Sequence, residues 1–83
     1  MKVAVKYFAG IRESIGQSGE LVSTQSVTLG DLRDELIARG GPYAESLARG
    51  KAVRLALQQV MADEQAALTD GAEVAFFPPV TGG

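Results

Sequence analysis

Two residue types that carry much of enzyme chemistry are missing: the chain of 83 residues contains no histidine and no cysteine. Imidazole acid–base catalysis, thiolate nucleophiles, disulfides and zinc sites of the Cys/His type go with them. Carboxylates, lysines, hydroxyls and the chain ends remain. The sequence closes on Pro78-Pro79-Val80-Thr81-Gly82-Gly83, and this segment holds the strongest chemical signal. The two prolines lack the N–H a sheet ladder needs and favour an extended backbone. Six extended residues reach about 20 Å, against a radius of gyration of about 12 Å for a body of this size. The segment is therefore long enough to enter another protein. Glycine has no Cβ, so Gly82 would fit a narrow channel and the main-chain carboxylate of Gly83 would be unhindered. A carboxylate is a poor electrophile. Adenylation by ATP would give it a leaving group, and sulfide could then attack the acyl carbon. The thiocarboxylate so formed would carry sulfur on the main chain, which suits a chain without cysteine. A Gly-Gly ending by itself is weak, since chain ends are commonly disordered; the whole Phe-Phe-Pro-Pro-Val-Thr-Gly-Gly run makes it specific.

The bulk of the sequence must form the body that presents this segment. The length allows one small domain, and such a domain buries only about 60–65% of its unfolded surface. A large enclosed active site is not expected. Hydrophobic residues make up 46% and charged residues 22%, as in ordinary globular domains. The net charge of -2 argues against nucleic acid as a partner, because phosphate binding needs a basic footprint. No apolar run approaches the roughly 20 residues that span a membrane. Met1-Lys2 leads straight into a strand pattern rather than a signal peptide, so a cytoplasmic location is expected.

Val3 to Phe8 reads as a strand. Alternation puts Val3, Val5 and Tyr7 on one face and Ala4, Lys6 and Phe8 on the other, which Lys6 marks as wet. Ile11 to Ile15 reads as a helical turn stopped by Gly16. Glu20 to Val27 is a weaker strand. Thr28-Leu29-Gly30-Asp31 opens the main helix with a capping pattern. Leu29, Leu32, Leu36 and Ile37 form its apolar stripe; Asp31, Arg33, Asp34, Glu35 and Arg39 are assigned to the other side. Gly40-Gly41-Pro42 ends it. Tyr43 to Leu47 suggests a short turn, Val53 to Leu57 a strand, Gln58-Gln59 a turn and Val60-Met61 a short strand. Asp70-Gly71 is a turn before the last strand, Glu73 to Phe77. Val74 and Phe76 share one face of that strand; Ala75 and Phe77 share the other. The order suits an α+β domain with one sheet face covered by a helix. The domain is read as residues 1–77, with 78–83 an extended flexible tail.

Three blocks carry a family resemblance: Val-Lys-Tyr-Phe-Ala-Gly-Ile-Arg-Glu near the start, Thr-Leu-Gly-Asp-Leu-Arg-Asp-Glu-Leu in the main helix, and Leu-Thr-Asp-Gly-Ala-Glu-Val-Ala-Phe-Phe-Pro-Pro-Val-Thr-Gly-Gly at the close. The chain resembles the small subunits of molybdopterin synthase (MoaD-type sulfur carriers) essentially end to end. The resemblance implies a ubiquitin-like β-grasp, a mixed sheet with one main helix packed on one face. It implies that an E1-like enzyme (MoeB-type) adenylates Gly83 with ATP and that sulfur transfer gives a Gly83 thiocarboxylate. Val80, Thr81, Gly82 and the prolines Pro78 and Pro79 would insert into a large subunit (MoaE-type), which supplies the catalytic side chains. Sulfur would pass there to cyclic pyranopterin monophosphate, two rounds building the dithiolene in a heterotetrameric synthase. No cofactor or metal is expected on this chain. Lys6, in place of an apolar residue, and Gln58-Gln59, in place of Asn-Gln, depart from the family pattern.

Phe8 and Phe77 fall together on the expected outer face, and paired exposed aromatics mark an interface. Arg12 is a further candidate for contact with a partner acid. Asp31, Asp34 and Glu35 suit a solvated helix face, and Asp70 a turn. Other readings of the tail stay open: a carrier for thiamine thiazole or a tRNA base, a ubiquitin-like modifier of lysines, or an interaction domain with an inert tail.

Overall fold

The computed structural model describes residues 1–79. Five strands and three helices follow in the order β1 (Lys2–Tyr7), α1 (Ala9–Ile15), β2 (Gly19–Ser23), α2 (Leu29–Ile37), α3 (Gly41–Leu47), β3 (Arg54–Leu57), β4 (Val60–Ala62) and β5 (Glu73–Phe77). The sheet order is β2-β1-β5-β3-β4. β1 and β5 run parallel at the centre, and every other pairing is antiparallel. The sheet is mixed, and its helices lie against one face: the β-grasp arrangement.

The alternation in β1 and β5 decides which face that is. Val3, Val5, Tyr7, Val74 and Phe76 point inward and are closed to solvent, packed with Leu29, Leu32, Leu36 and Leu47 from α2 and α3. Fourteen buried side chains make this one cluster, so a single core holds all the elements. Lys6 and Phe8 stay on the open face, as the pattern predicts.

The start of α2 follows its sequence signal. Thr28 is extended and its Oγ1 accepts the Asp31 N–H at 3.1 Å. This satisfies one of the donors a helix start leaves free. Gly16 ends α1 in the left-handed region at φ +88° and donates its N–H to the Arg12 carbonyl at 2.8 Å.

Four details differ from the sequence reading. β2 stops at Ser23 rather than reaching Val27. Thr24 still bonds Met1 through its N–H at 2.8 Å and its carbonyl at 3.0 Å; beyond it the local bonds of its inward side chain, Oγ1 accepting the Ser26 N–H at 2.9 Å and donating to Glu35, take the place of the ladder. Glu35 is thus held by Thr24 and Ser26 rather than lying free on a solvated face. The region after the main helix is a seven-residue helix, α3, with Gly40 (φ +76°) before it and proline in its first turn, where a missing N–H costs nothing. Finally, Arg33 is only 4% exposed; it is not on an open face, because α3 packs along that flank of α2.

Among the described residues no helix is long and apolar enough to cross a membrane.

Candidate functional site

The parallel pairing of β1 with β5 brings the ends of both strands to the same edge of the domain. Tyr7 stands opposite Phe76 in the ladder, and the Phe8 N–H continues it to the Phe76 carbonyl at 3.2 Å. The next residues, Phe8 and Phe77, therefore meet on the outer face. Their rings lie edge to face, with centroids 6.5 Å apart at 87°. Phe8 is 44% exposed and Phe77 is half-buried. Both positions are as the alternation predicts, and they are neighbours besides.

Pro78 and Pro79 follow directly and line the same surface. An open groove of about 650 Å³ runs between Phe8, Phe77 and the two prolines, with Ala75 as its floor and Gln59 and Glu73 at its polar edge. The floor is flat for a reason of register. Gly19, Lys6, Ala75, Ala56 and Met61 stand in one row across the five strands, and three of them are glycine or alanine. Met61 closes the row, 58% exposed. Lys6 leans along the sheet to Glu73, with Nζ 3.4 Å from the carboxylate, and so leaves the alanine floor open. The departure from an apolar residue at position 6 is accommodated by this ion pair.

Arg12 lies exposed on α1 and does not line the groove. Among the described residues its side chain forms no hydrogen bond or ion pair. The structure thus brings together four of the expected contact residues, Phe8, Phe77, Pro78 and Pro79, and leaves Arg12 apart. Val80, Thr81, Gly82 and Gly83, including the expected reactive carboxyl, lie outside the described residues. Asp70 is a turn residue as read: its Oδ1 accepts the Lys2 N–H at 2.9 Å.

Three residues of this surface escaped the sequence reading. Met61 was legible in principle, since a two-residue turn at Gln58-Gln59 fixes Leu57 opposite Val60 and hence Ala56 opposite Met61. Gln59 and Ala9 were not, because no local pattern places them near the end of β5. Among the described residues no cluster of His, Cys, Asp or Glu has the makings of a metal site.

The sequence matches the ThiS family over residues 5–83. The molybdopterin synthase sulfur carrier subunit of Escherichia coli (strain K12) is 40% identical over 81 residues, spanning 98% of this chain and 99% of that protein. Among solved structures, SAMP1 from Haloferax volcanii has a TM-score of 0.78 at 27% identity, with all of both chains covered. A chain in the complex of subunits 1 and 2 of the molybdopterin-converting factor from Helicobacter pylori 26695 has a TM-score of 0.71 at 26% identity, again over all of both chains. The mixed sheet that grips its helices and the end-to-end match agree, and the chain belongs to the ThiS family.

Proposed function

We propose that this chain is the sulfur carrier of molybdopterin synthase. The Gly83 carboxylate attacks the α-phosphorus of ATP on an E1-like, MoeB-type enzyme, and pyrophosphate leaves. Sulfide then displaces AMP from the acyl carbon, giving a Gly83 thiocarboxylate. In a MoaE-type large subunit that sulfur is passed to cyclic pyranopterin monophosphate, and water restores the carboxylate. The catalytic side chains belong to the large subunit; this chain is a rechargeable co-substrate acting in the cytoplasm. Its body is residues 1–77, and 78–83 is the delivered tail.

The observation that carries this reading is the 40% identity to a sulfur carrier subunit over 99% of that protein's length. The geometry supports it. The Phe8–Phe77 pair and its groove adjoin Pro78 and Pro79, so a partner that covers the groove also receives whatever follows the prolines. The converting-factor complex from H. pylori pairs a similar chain with a second subunit.

Intact mass spectrometry tests the chemistry. Incubated with ATP, the E1-like enzyme and a sulfur donor, the protein should gain about 16 mass units, one oxygen replaced by sulfur, and the gain should map to Gly83. An unchanged mass under conditions that charge the E. coli protein overturns the reading. The likeness to SAMP1, a small archaeal modifier protein, favours a second one: transfer of the same activated acyl group to lysine amines. A ladder of covalent conjugates on denaturing gels would support it, and single-sized protein would exclude it.

A further inference from the structure

Left-handed backbone is sterically costly for a residue with a Cβ, and residues held in it are found gathered at ligand clamps and active sites. Three non-glycine residues have positive φ among the described residues: Ala9 at +50°, Gln58 at +52° and Gln59 at +67°. All three gather around one feature. Ala9 and Gln59 line the groove beside Phe8 and Phe77. Gln58 is bonded to Glu73, another lining residue, through its N–H to the Glu73 carbonyl at 2.8 Å and its Oε1 from the Glu73 N–H at 2.7 Å.

The Gln58-Gln59 pair is the two-residue turn between β3 and β4. Such turns need positive φ at both positions and favour Asn-Gly. Gln58 has a structural use, since its side chain completes the start of β5. Gln59 has none of that kind. It is exposed, and its carboxamide forms no hydrogen bond among the described residues.

The groove is otherwise poor in donors. Pro78 and Pro79 have no N–H. Ala75 lies in a strand paired on both sides, opposite Lys6 and Ala56. An ionised Glu73 only accepts, and it is engaged by Lys6. Among the lining side chains, a peptide carbonyl laid over the aromatic pair meets a single neutral donor, Gln59 Nε2.

We infer that Gln59 is a specificity-determining residue of this docking face: its carboxamide hydrogen-bonds a main-chain peptide group of the large synthase subunit where that subunit covers Phe8 and Phe77. The positive-φ backbone of the turn sets this carboxamide at the rim of the groove. The inference rests on the sulfur-carrier reading and deepens it.

Two variants of the full chain test it, with the purified MoaE-type large subunit from the same genome as the probe. Gln59→Gly relieves the backbone and removes the carboxamide; Gln59→Glu keeps the size and removes the donor. Calorimetric titration should show the dissociation constant rising about tenfold for each, in line with one lost hydrogen bond. The melting temperature of Gln59→Gly should be unchanged or higher. Dissociation constants within twofold of wild type overturn the inference, as does weakened binding that is matched by a fall in the melting temperature of Gln59→Gly. A wild-type chain that takes up sulfur at Gly83 but does not bind the large subunit also overturns it, while leaving sulfur carriage standing. A chain that binds but never charges counts against the carrier chemistry, and the Gln59 contact is then judged on the variants alone.

Discussion

Glu20 collects four side-chain hydrogen bonds from four residues. Its Oε2 accepts from Tyr7 Oη at 2.8 Å, Tyr43 Oη at 2.7 Å and Gln17 Nε2 at 3.1 Å, and its Oε1 from Arg39 Nη1 at 3.0 Å. Tyr7 is buried between Phe76, stacked at 6.3 Å, and Tyr43, edge-on at 6.2 Å, so its hydroxyl needs this acceptor. Burial, reinforced by Glu20, pushes the Tyr7 phenol above its ordinary range and keeps it a donor. For Glu20, burial acts to raise the pKa, but the bonds from Tyr43, Arg39 and Tyr7 and the charge of Arg39 outweigh it, and the net shift is downward from 4.5. A carboxyl lowered by folding adds stability above its unfolded pKa and loses it as pH falls through the folded value. Stability should therefore decline as pH drops below about 4.5, and Glu20→Gln should flatten that part of the profile. At pH 7 the substitution should cost about 1–3 kcal/mol, the range for a hydrogen-bonded charged group, read from urea unfolding. A pH profile unchanged by Glu20→Gln would show that another carboxyl governs acid unfolding. No sequence pattern flags this residue, because its donors come from positions 7, 17, 39 and 43 and meet only in the fold.

Among the elements, α2 uses a charged residue where an apolar stripe alone was expected. Arg33 Nε donates to the Leu47 carbonyl at 2.8 Å, and its Nη2 to the Ala48 carbonyl at 2.9 Å. The end of α3 leaves the buried Leu47 carbonyl without a helical donor, and the guanidinium supplies one; the Ala48 carbonyl also accepts the Lys51 N–H at 2.8 Å. Burial, then the nearby charge of Arg49, lowers the Arg33 pKa, against the nearby charge of Asp34, which raises it. Arg33→Met should destabilise by about 1–3 kcal/mol, since the buried Leu47 carbonyl loses its donor, and amide exchange should speed up most in α3. The N-terminal end of α2 is pinned by close approach. The Gly30 N–H donates to the Glu64 carbonyl at 2.8 Å, and a Cβ at Gly30 would stand 3.1 Å from that same oxygen and from Glu64 Cβ. Gly30→Ala improves helix propensity by up to about 1 kcal/mol, yet the carbonyl it crowds is the one its own N–H holds. We expect a net loss of about 1 kcal/mol in thermal unfolding; a stabilised variant would mean the Glu64 loop yields freely. Strands, the α2 cap and the Leu stripe were legible because period and capping are local. Arg33 was misassigned because helical spacing shows which residues share a face, not how many faces a second helix covers.

At the scale of the whole molecule, the parallel β1–β5 pair makes the sheet two-sided, and neighbours in sequence take opposite roles across it. Phe76 is fully buried against Tyr7, whereas Phe77 sits with Phe8 over the groove that leads into Pro78 and Pro79. Period-two alternation made this division readable from the sequence. The joining of Phe8 to Phe77 was less so, since it depends on strand order, and Gly83, the expected reactive position, lies outside the described residues. The two roles predict opposite phenotypes one residue apart. Phe76→Ala opens a cavity in the core and should cost about 3–5 kcal/mol, enough to unfold much of a small domain whose total stability is about 5–15 kcal/mol. Phe77→Ala together with Phe8→Ala loses only partial burial and an edge-to-face contact worth about 0.5–1.5 kcal/mol, a drop in melting temperature of about 4–8 °C per kcal/mol at this size. Because buried aromatic anchors dominate interfaces, the double variant should bind the large subunit at least about tenfold more weakly while remaining folded. Melting curves and titrations on the two proteins decide it. If the outer pair proves as costly to stability as Phe76, or leaves binding intact, the open face of the sheet is not where this carrier meets its acceptor.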